Sequence, residues 1–190
     1  MTTLITMELK ELDEEDLARR SVTDADAFAE LYRQHVTRVY RYFMAHIGNV
    51  KDAEDLTSQT FMAVMEGIRS FRREGSFAAW VMGIASKKRL MFYRGNRHEV
   101  PLEALEQYPS SGIPTDKAAM QHMRLQSIAH ALRQIAAERA EAIVLVYFGG
   151  LSHAEAARVM KKNEAAVKML VSRGLQDLRE RTTLRMEVEE

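Results

Sequence analysis

Lys168, Met169, Ser172 and Arg173 fall on one side of a patterned stretch running from Glu164 to Leu178. Two cations and a hydroxyl placed together can donate to base edges and phosphates in the major groove of a duplex. The other side of the stretch carries Val167, Leu170, Val171, Gly174, Leu175 and Leu178 at three- and four-residue intervals, which predicts a helix packed inward along that stripe. A short polar turn, Lys161-Lys162-Asn163, precedes it, and a first helical stretch from Ser152 to Met160 precedes the turn. Ser152, three residues before Glu155, forms a capping box in which hydroxyl and carboxylate satisfy otherwise unpaired backbone N–H groups. Gly149 and Gly150 close the helix before. The spacing predicts a helix-turn-helix with Lys162, Asn163, Lys168, Met169, Ser172 and Arg173 as DNA contacts. Any helical hairpin with a basic outer face shares most of these letters, so the motif gains weight only from the rest of the chain.

A second cluster lies upstream. Between Arg69 and Arg97 stand eight basic residues and one acid, Glu74, a local charge of about +7 in a chain whose net charge is zero. Acids gather instead between residues 8 and 30 and at the C-terminal end. Local potential recruits a phosphate backbone, so the neutral total does not exclude nucleic acid. Phe71 and Phe77 flank the connector from Arg69 to Phe77, and a helix bearing Lys87, Lys88, Arg89 and Arg94 follows. Cations interleaved with aromatic rings suit a single strand, whose phosphates follow the charges while unstacked bases find rings or a pocket. Arg72, Arg73, Ser76, Lys87, Lys88, Arg89 and Arg94 are the candidates. The competing reading makes Phe71, Phe77 and Trp80 core residues and the cations a solvated face; it is preferred for Trp80 and not for the basic cluster.

These side chains need elements to hold them. Phe28, Leu31, Tyr32, Val36, Val39, Tyr40, Phe43, Met44 and Ile47 form one helical stripe, which Gly48 ends. Ala53, Leu56, Thr57, Thr60, Phe61, Val64, Met65 and Ile68 form a second. Phe77, Trp80, Val81, Ile84 and Ala85 form a third, continued by Met91 and Phe92, with Ser76 placed to cap it. All three prolines, Pro101, Pro109 and Pro114, fall in one short segment with Ser110, Ser111 and Gly112, which predicts a linker. Beyond it Met120, Met123, Ile128, Ala131, Leu132 and Ile135 mark one helix, and Ala140, Ile143, Val144 and Tyr147 another. No stretch alternates as a strand would. The expectation is all-α: an acidic extension over 1–23, a helical domain over 24–98, a linker over 99–119, a helix-turn-helix domain over 120–182 and a tail over 183–190.

Composition narrows the function. With 46% hydrophobic and 28% charged residues the chain reads as soluble and globular; no run reaches the roughly twenty apolar residues of a membrane span. The acidic start lacks the features of a signal peptide, and a cytoplasmic protein without membrane insertion is expected. There is no cysteine, hence no disulfide or thiolate site. His35, His46, His98, His122, His130 and His153 show no metal-ligand spacing, and neither a phosphate-binding glycine loop nor a nucleophile setting is present. No cofactor, no metal and no enzymatic activity are expected. The twelve methionines fall mainly on helical stripes and read as gap-filling core.

Three places, in this order, carry a resemblance: Asp52-Ala53-Glu54-Asp55-Leu56 with Phe61; Phe77-Ala78-Ala79-Trp80-Val81 with Ile84-Ala85; and Tyr147-Phe148-Gly149-Gly150-Leu151-Ser152 with Val167-Lys168. Together they resemble the extracytoplasmic-function (ECF) group of bacterial RNA polymerase sigma factors, which hold the second and fourth sigma regions joined by a linker. The likeness covers roughly residues 24 to 98 and 122 to 181. It implies core RNA polymerase and promoter DNA as partners, with an anti-sigma factor as a further partner known in the group. It implies that Asp52, Asp55, Leu56 and Gln59 meet the polymerase clamp helices, and that the loop from Arg72 to Ser76 captures a non-template base of the minus-ten element while the C-terminal helix reads the minus-thirty-five element. The chain departs from the group's pattern at Ser58-Gln59, Lys87, Met91, Ile135-Ala136 and Lys161, the last standing where a glycine is usual. A stand-alone helix-turn-helix regulator is the alternative, though it leaves the basic stretch without a role. An all-α recombinase-like enzyme lacks any acid or nucleophile constellation.

Overall fold

The computed structural model describes residues 12–72, 75–95 and 116–188, and among them every regular element is helical. Arg73, the prolines Pro101, Pro109 and Pro114 of the predicted linker, and the first eleven residues lie outside the described residues. The elements are α1 (Glu14–Arg20), α2 (Ala25–Ile47), α3 (Val50–Gly67), a 3-10 turn (Ile68–Ser70), α4 (Phe77–Gly95), α5 (Asp116–Leu132), α6 (Ala137–Tyr147), α7 (His153–Met160) and α8 (Glu164–Val188).

Each boundary has a local cause. Asp13, Asp24 and Asn49 cap α1, α2 and α3 by accepting first-turn N–H groups, which would otherwise stay unpaired. Gly48 ends α2 in the left-handed region, φ 72°, where a side chain would be strained. Ser76 Oγ accepts from Ala79 N at 3.2 Å at the start of α4, as its position predicts. The expected extension over 1–23 contains α1, whose Leu17 is fully buried, so this part of it packs against the first unit, and residue 24 is the cap that separates α1 from α2.

The first four helices pack around Leu31, Val39, Phe43, Val64, Phe77 and Val81, and α6 to α8 around Ile143, Val144, Leu145, Val167 and Val171. At Gly174 helices α6 and α8 approach closely: a Cβ there would lie 2.7 Å from Ile143 Cδ1. The two units share one continuous buried cluster. Helix α5 lies against α2 through Leu125, Ala129 and Leu132, and a Cβ on Gly48 would lie 3.1 Å from Ala129 Cβ.

Several side chains expected in the core are outside it. Met65, Met120, Met123 and Tyr147 are more than half exposed, as are Met62, Met91 and Met169, whereas Met44 and Met82 are buried. The methionine reading therefore needs correction: periodicity places a residue near a stripe, but the width of the facing neighbour decides whether its edge is covered.

Candidate nucleic-acid interface

The helix-turn-helix forms as its letters predict. Ser152 Oγ accepts from Glu155 N at 3.3 Å and Glu155 Oε2 accepts from Ser152 N at 2.8 Å, the reciprocal capping box. Lys161 ends α7 with φ 54°, the one described non-glycine residue at positive φ, so this position requires the left-handed conformation that glycine adopts without cost. Asn163 Oδ1 accepts from Ala166 N at 2.7 Å and starts α8; its oxygen is committed to a cap, leaving the amide nitrogen to face outward.

Lys168, Met169, Ser172 and Arg173 are all exposed on α8. Lys168 Nζ pairs with Glu164 at 2.7 Å, one turn away, and Lys162 Nζ with Glu138 at 2.9 Å. Exposed pairs of this kind are worth well under about 1 kcal/mol, so a phosphate can displace either acid. Met169 and Arg173 border an open cleft of about 680 Å³ between α8 and the start of α6, lined also by Ala136, Ala137 and Ala166. Arg139 joins α6 to α8 by pairing with Asp177 at 2.5 Å, which holds the reading helix to its support.

The upstream cluster is less uniform. Arg72, Lys87 and Arg94 are exposed and Lys88 is half-buried. Phe77 is wholly buried, and Phe71 and Trp80 pack against it with ring centroids 5.4 and 5.7 Å from its own; these rings form core, as the competing reading had them. Ser76, besides capping α4, donates its hydroxyl to Glu155 of α7. Arg89 turns away from Lys87 into a buried polar cluster with only 14% of its side chain exposed. The structure thus separates Arg89 from the solvent-facing cations with which the sequence grouped it.

That cluster centres on Glu141 of α6. Its carboxylate receives Arg89 Nη2 at 2.9 Å, Tyr42 Oη at 2.9 Å and Ser86 Oγ at 2.9 Å, and His46 Nε2 lies 2.9 Å away. Burial alone would raise the Glu141 carboxyl, but hydrogen bonding and charge from His46, with Arg89 and Ser86, hold it down at about 2. Burial lowers His46 despite the carboxylate beside it, and pushes Tyr42 well above its ordinary value with the Glu141 charge adding to the rise. His35, buried against Phe77, is lowered to about 4 by burial and by Arg38. None of Tyr42, His46, Ser86 or Glu141 was singled out from sequence. One signal was available: Glu141 is the sole charge in the run from Ala140 to Leu145, all of it buried.

On α3 the outward face presents Glu54, Asp55, Ser58, Gln59, Met62 and Met65. Asp52 is half-buried, and burial followed by the Asp55 charge raises its carboxyl. Leu56 is only 5% exposed and faces the core with Thr57 and Thr60. Of the four residues expected to meet a polymerase, Asp55 and Gln59 are on the surface and Leu56 supports them from beneath. Among the described residues no cluster of three or more potential ligands could hold a metal, and no helix is long and apolar enough to cross a membrane.

Comparison with known proteins matches residues 31–99 to sigma-70 region 2 and residues 125–178 to sigma-70 region 4. The ECF RNA polymerase sigma factor BldN of Streptomyces coelicolor is 33% identical over 84% of this chain and 62% of its own length. The ECF sigma factor SigE of Mycolicibacterium smegmatis is 32% identical over 80% of this chain and 60% of its own. The chain therefore spans about three-fifths of these relatives. Among solved structures, CnrH in complex with the cytosolic domain of CnrY superposes with a TM-score of 0.69 at 21% identity, covering 90% of this chain and 97% of that one, which supports the fold.

Proposed function

The chain belongs to the ECF group of sigma-70 factors, and from that premise we propose that it joins core RNA polymerase, directs it to promoters and helps open them. The observation that carries this reading is the pairing, in one chain, of a region 2 unit bearing outward cations with a region 4 unit whose turn and caps expose Lys168, Ser172 and Arg173 on one helix face.

In this scheme α8 enters the major groove of the upstream element. Arg173 and Lys168 supply base-edge or phosphate donors, with Ser172 and Met169 beside them, while Lys162 and the Asn163 amide approach the flanking backbone. The loop containing Arg72, Arg73 and Ser76, with Lys87, Lys88, Arg89 and Arg94 on α4, holds the opened strand of the minus-ten element. Unstacking a base costs a few kcal/mol, which contacts to the extruded base and its phosphates offset. Asp55 and Gln59, with Asp52 at the rim, meet the polymerase; carboxylates facing cations there contribute register and steering more than raw affinity. The units are residues 24–98, joined by the α1 segment, and 120–182. The protein works in the cytoplasm without a cofactor and catalyses no reaction of its own. CnrH was solved with CnrY, and a soluble anti-sigma domain is proposed as a partner here as well.

Pull-down with core polymerase, followed by run-off transcription from a selected promoter library, tests the reading. Association together with promoter-dependent transcripts supports it. DNA binding without polymerase association would point to the stand-alone regulator.

A further inference from the structure

Besides the packing of α5 on α2, the two units meet on the face of the first unit that the reading above assigns to the opened strand. Glu141 of α6 reaches Tyr42, His46, Ser86 and Arg89. Glu155 of α7 accepts from Ser76, and Arg158 stands over the neighbouring loop, so that a Cβ on Gly75 would lie 2.8 Å from its Nη1. The backbone at Gly149 closes on Met82, with a Cβ there 2.8 Å from Met82 Cε. With α6 and α7 so placed, the Ser76 hydroxyl and the Arg89 guanidinium are already engaged by acids of the second unit.

The chemistry of the central cluster shows what it is built to take. Three of the groups converging on Glu141 are a guanidinium and two hydroxyls, each 2.9 Å from a carboxylate oxygen, and His46 lies at the same distance. All four come from the first unit. Donors of this type recognise any compact oxyanion, and Arg pairs with carboxylate and phosphate alike. Without an anion Arg89 would keep its bond to Tyr42 Oη, but its charge would lose its counter-ion and the Tyr42 and Ser86 hydroxyls their acceptor, a costly arrangement when buried. Glu141, conversely, has all these polar partners outside its own unit, whose α6 core is otherwise apolar and has no need of an acid there.

We infer that Tyr42, Ser86 and Arg89, with His46 beside them, form a phosphate site for the opened DNA strand, and that Glu141 is an intramolecular stand-in for that phosphate which latches the free protein shut. The inference rests on the sigma reading for the identity of the strand. In it, Glu141 and a backbone phosphate compete for one cradle, so the free chain reads DNA poorly, and separation of the units on the polymerase exposes donors already arranged for a phosphate. The apparent affinity of the closed protein is reduced by the fraction of time the cradle is vacated.

The chain lacks cysteine, so Thr37→Cys and Gln176→Cys, both exposed and on different units, accept a donor and acceptor dye without further change. The probe is a fluorescein-labelled oligothymidylate of about twenty nucleotides, a length a basic groove can follow, titrated against unlabelled protein without polymerase. Glu141→Gln, which keeps the shape and removes the charge, is expected to lower energy transfer and to tighten oligothymidylate binding at least about fivefold. Adding Tyr42→Phe, which keeps the ring, should remove most of that gain while leaving the units apart. Should Glu141→Gln lose helicity by circular dichroism, Glu141→Asp retains the charge but shortens its reach, and is expected to give partial opening and a partial gain. Unchanged energy transfer in folded variants overturns the latch; opening without any gain in binding overturns the phosphate site. A parallel pull-down with core polymerase separates the two readings. Retained polymerase binding with no gain leaves the sigma reading standing and the latch refuted. Opening and gain without polymerase binding do the reverse.

Discussion

Arg173 on α8 and Arg89 on α4 are the same residue type in helices that both carry basic residues, yet they are in opposite circumstances. Arg173 projects into solvent beside Lys168, which pairs with an exposed acid one turn away. Arg89 is nearly buried, bound to Glu141 and Tyr42. The difference lies in what packs above each helix. Nothing described covers the outer face of α8, whereas α6 and α7 lie across α4. A basic helix face is thus a potential interface whose availability is set by its neighbours, and in this protein the second unit covers Arg89 of the first.

Acid breaks the comparison most strongly. His35 is lowered to about 4, His46 is lowered as well, and Glu141 is held at about 2. For each, the folded form binds its proton at a lower pH than the unfolded chain does, so stability is fully present above about 6.5 and falls as pH drops. His35 accounts for loss between about 6.5 and 4, His46 adds to the loss below about 6.5, and Glu141 accounts for loss from about 4.5 downward. Thermal melts from pH 7 to pH 3 check this. His35→Leu should flatten the upper part of the profile, and a slope unchanged by that substitution would contradict the assignment.

On the polymerase face, Asp55→Arg with Gln59→Ala should weaken association with core polymerase by tenfold or more, about 1.4 kcal/mol or above. Both residues are exposed, so melting temperature should barely move. Leu56→Ala, by contrast, should destabilise the fold by about 2 to 5 kcal/mol because that side chain is core. Comparable loss of stability in both variants would show that the two sides of α3 had been misassigned.

Arg173→Ala sharpens the comparison from the exposed side. Contact with a base edge predicts a loss of about 1 to 3 kcal/mol at the preferred promoter and relaxed choice at one position; contact with phosphate predicts uniform weakening and a shallower salt dependence. Fluorescence anisotropy on a promoter and a scrambled duplex at two salt concentrations distinguishes them, and no change in either would remove Arg173 from the interface.

The smallest effect concerns the turn. Lys161 holds φ 54°, so Lys161→Gly should stabilise the protein by about 1 kcal/mol, raising the melting temperature by roughly 2 to 4 °C for a chain of this size. A lower melting temperature would mean that the Lys161 side chain contributes more than its backbone strain costs.

Much of this protein is determined locally and could be read from its letters. Ser152 and Glu155 set the start of α7, Asn163 that of α8 and Gly48 the end of α2, because caps satisfy N–H and C=O groups within a few residues of themselves. The three- and four-residue apolar spacing placed Phe43, Val64, Val81 and Val167 in the core for the same reason of short range. What lay beyond the sequence is every feature formed between distant segments: the Tyr42–Glu141 and Ser86–Glu141 bonds, the Ser76–Glu155 contact, the inward turn of Arg89 and the outward turn of Met65 and Met123. Helical periodicity states which side chains share a face, but it carries no information about which other face will be laid against it. That choice is made when α6 and α7 settle on α2 and α4, where burying a carboxylate is tolerable only because Arg89, Tyr42, Ser86 and His46 are already there to receive it.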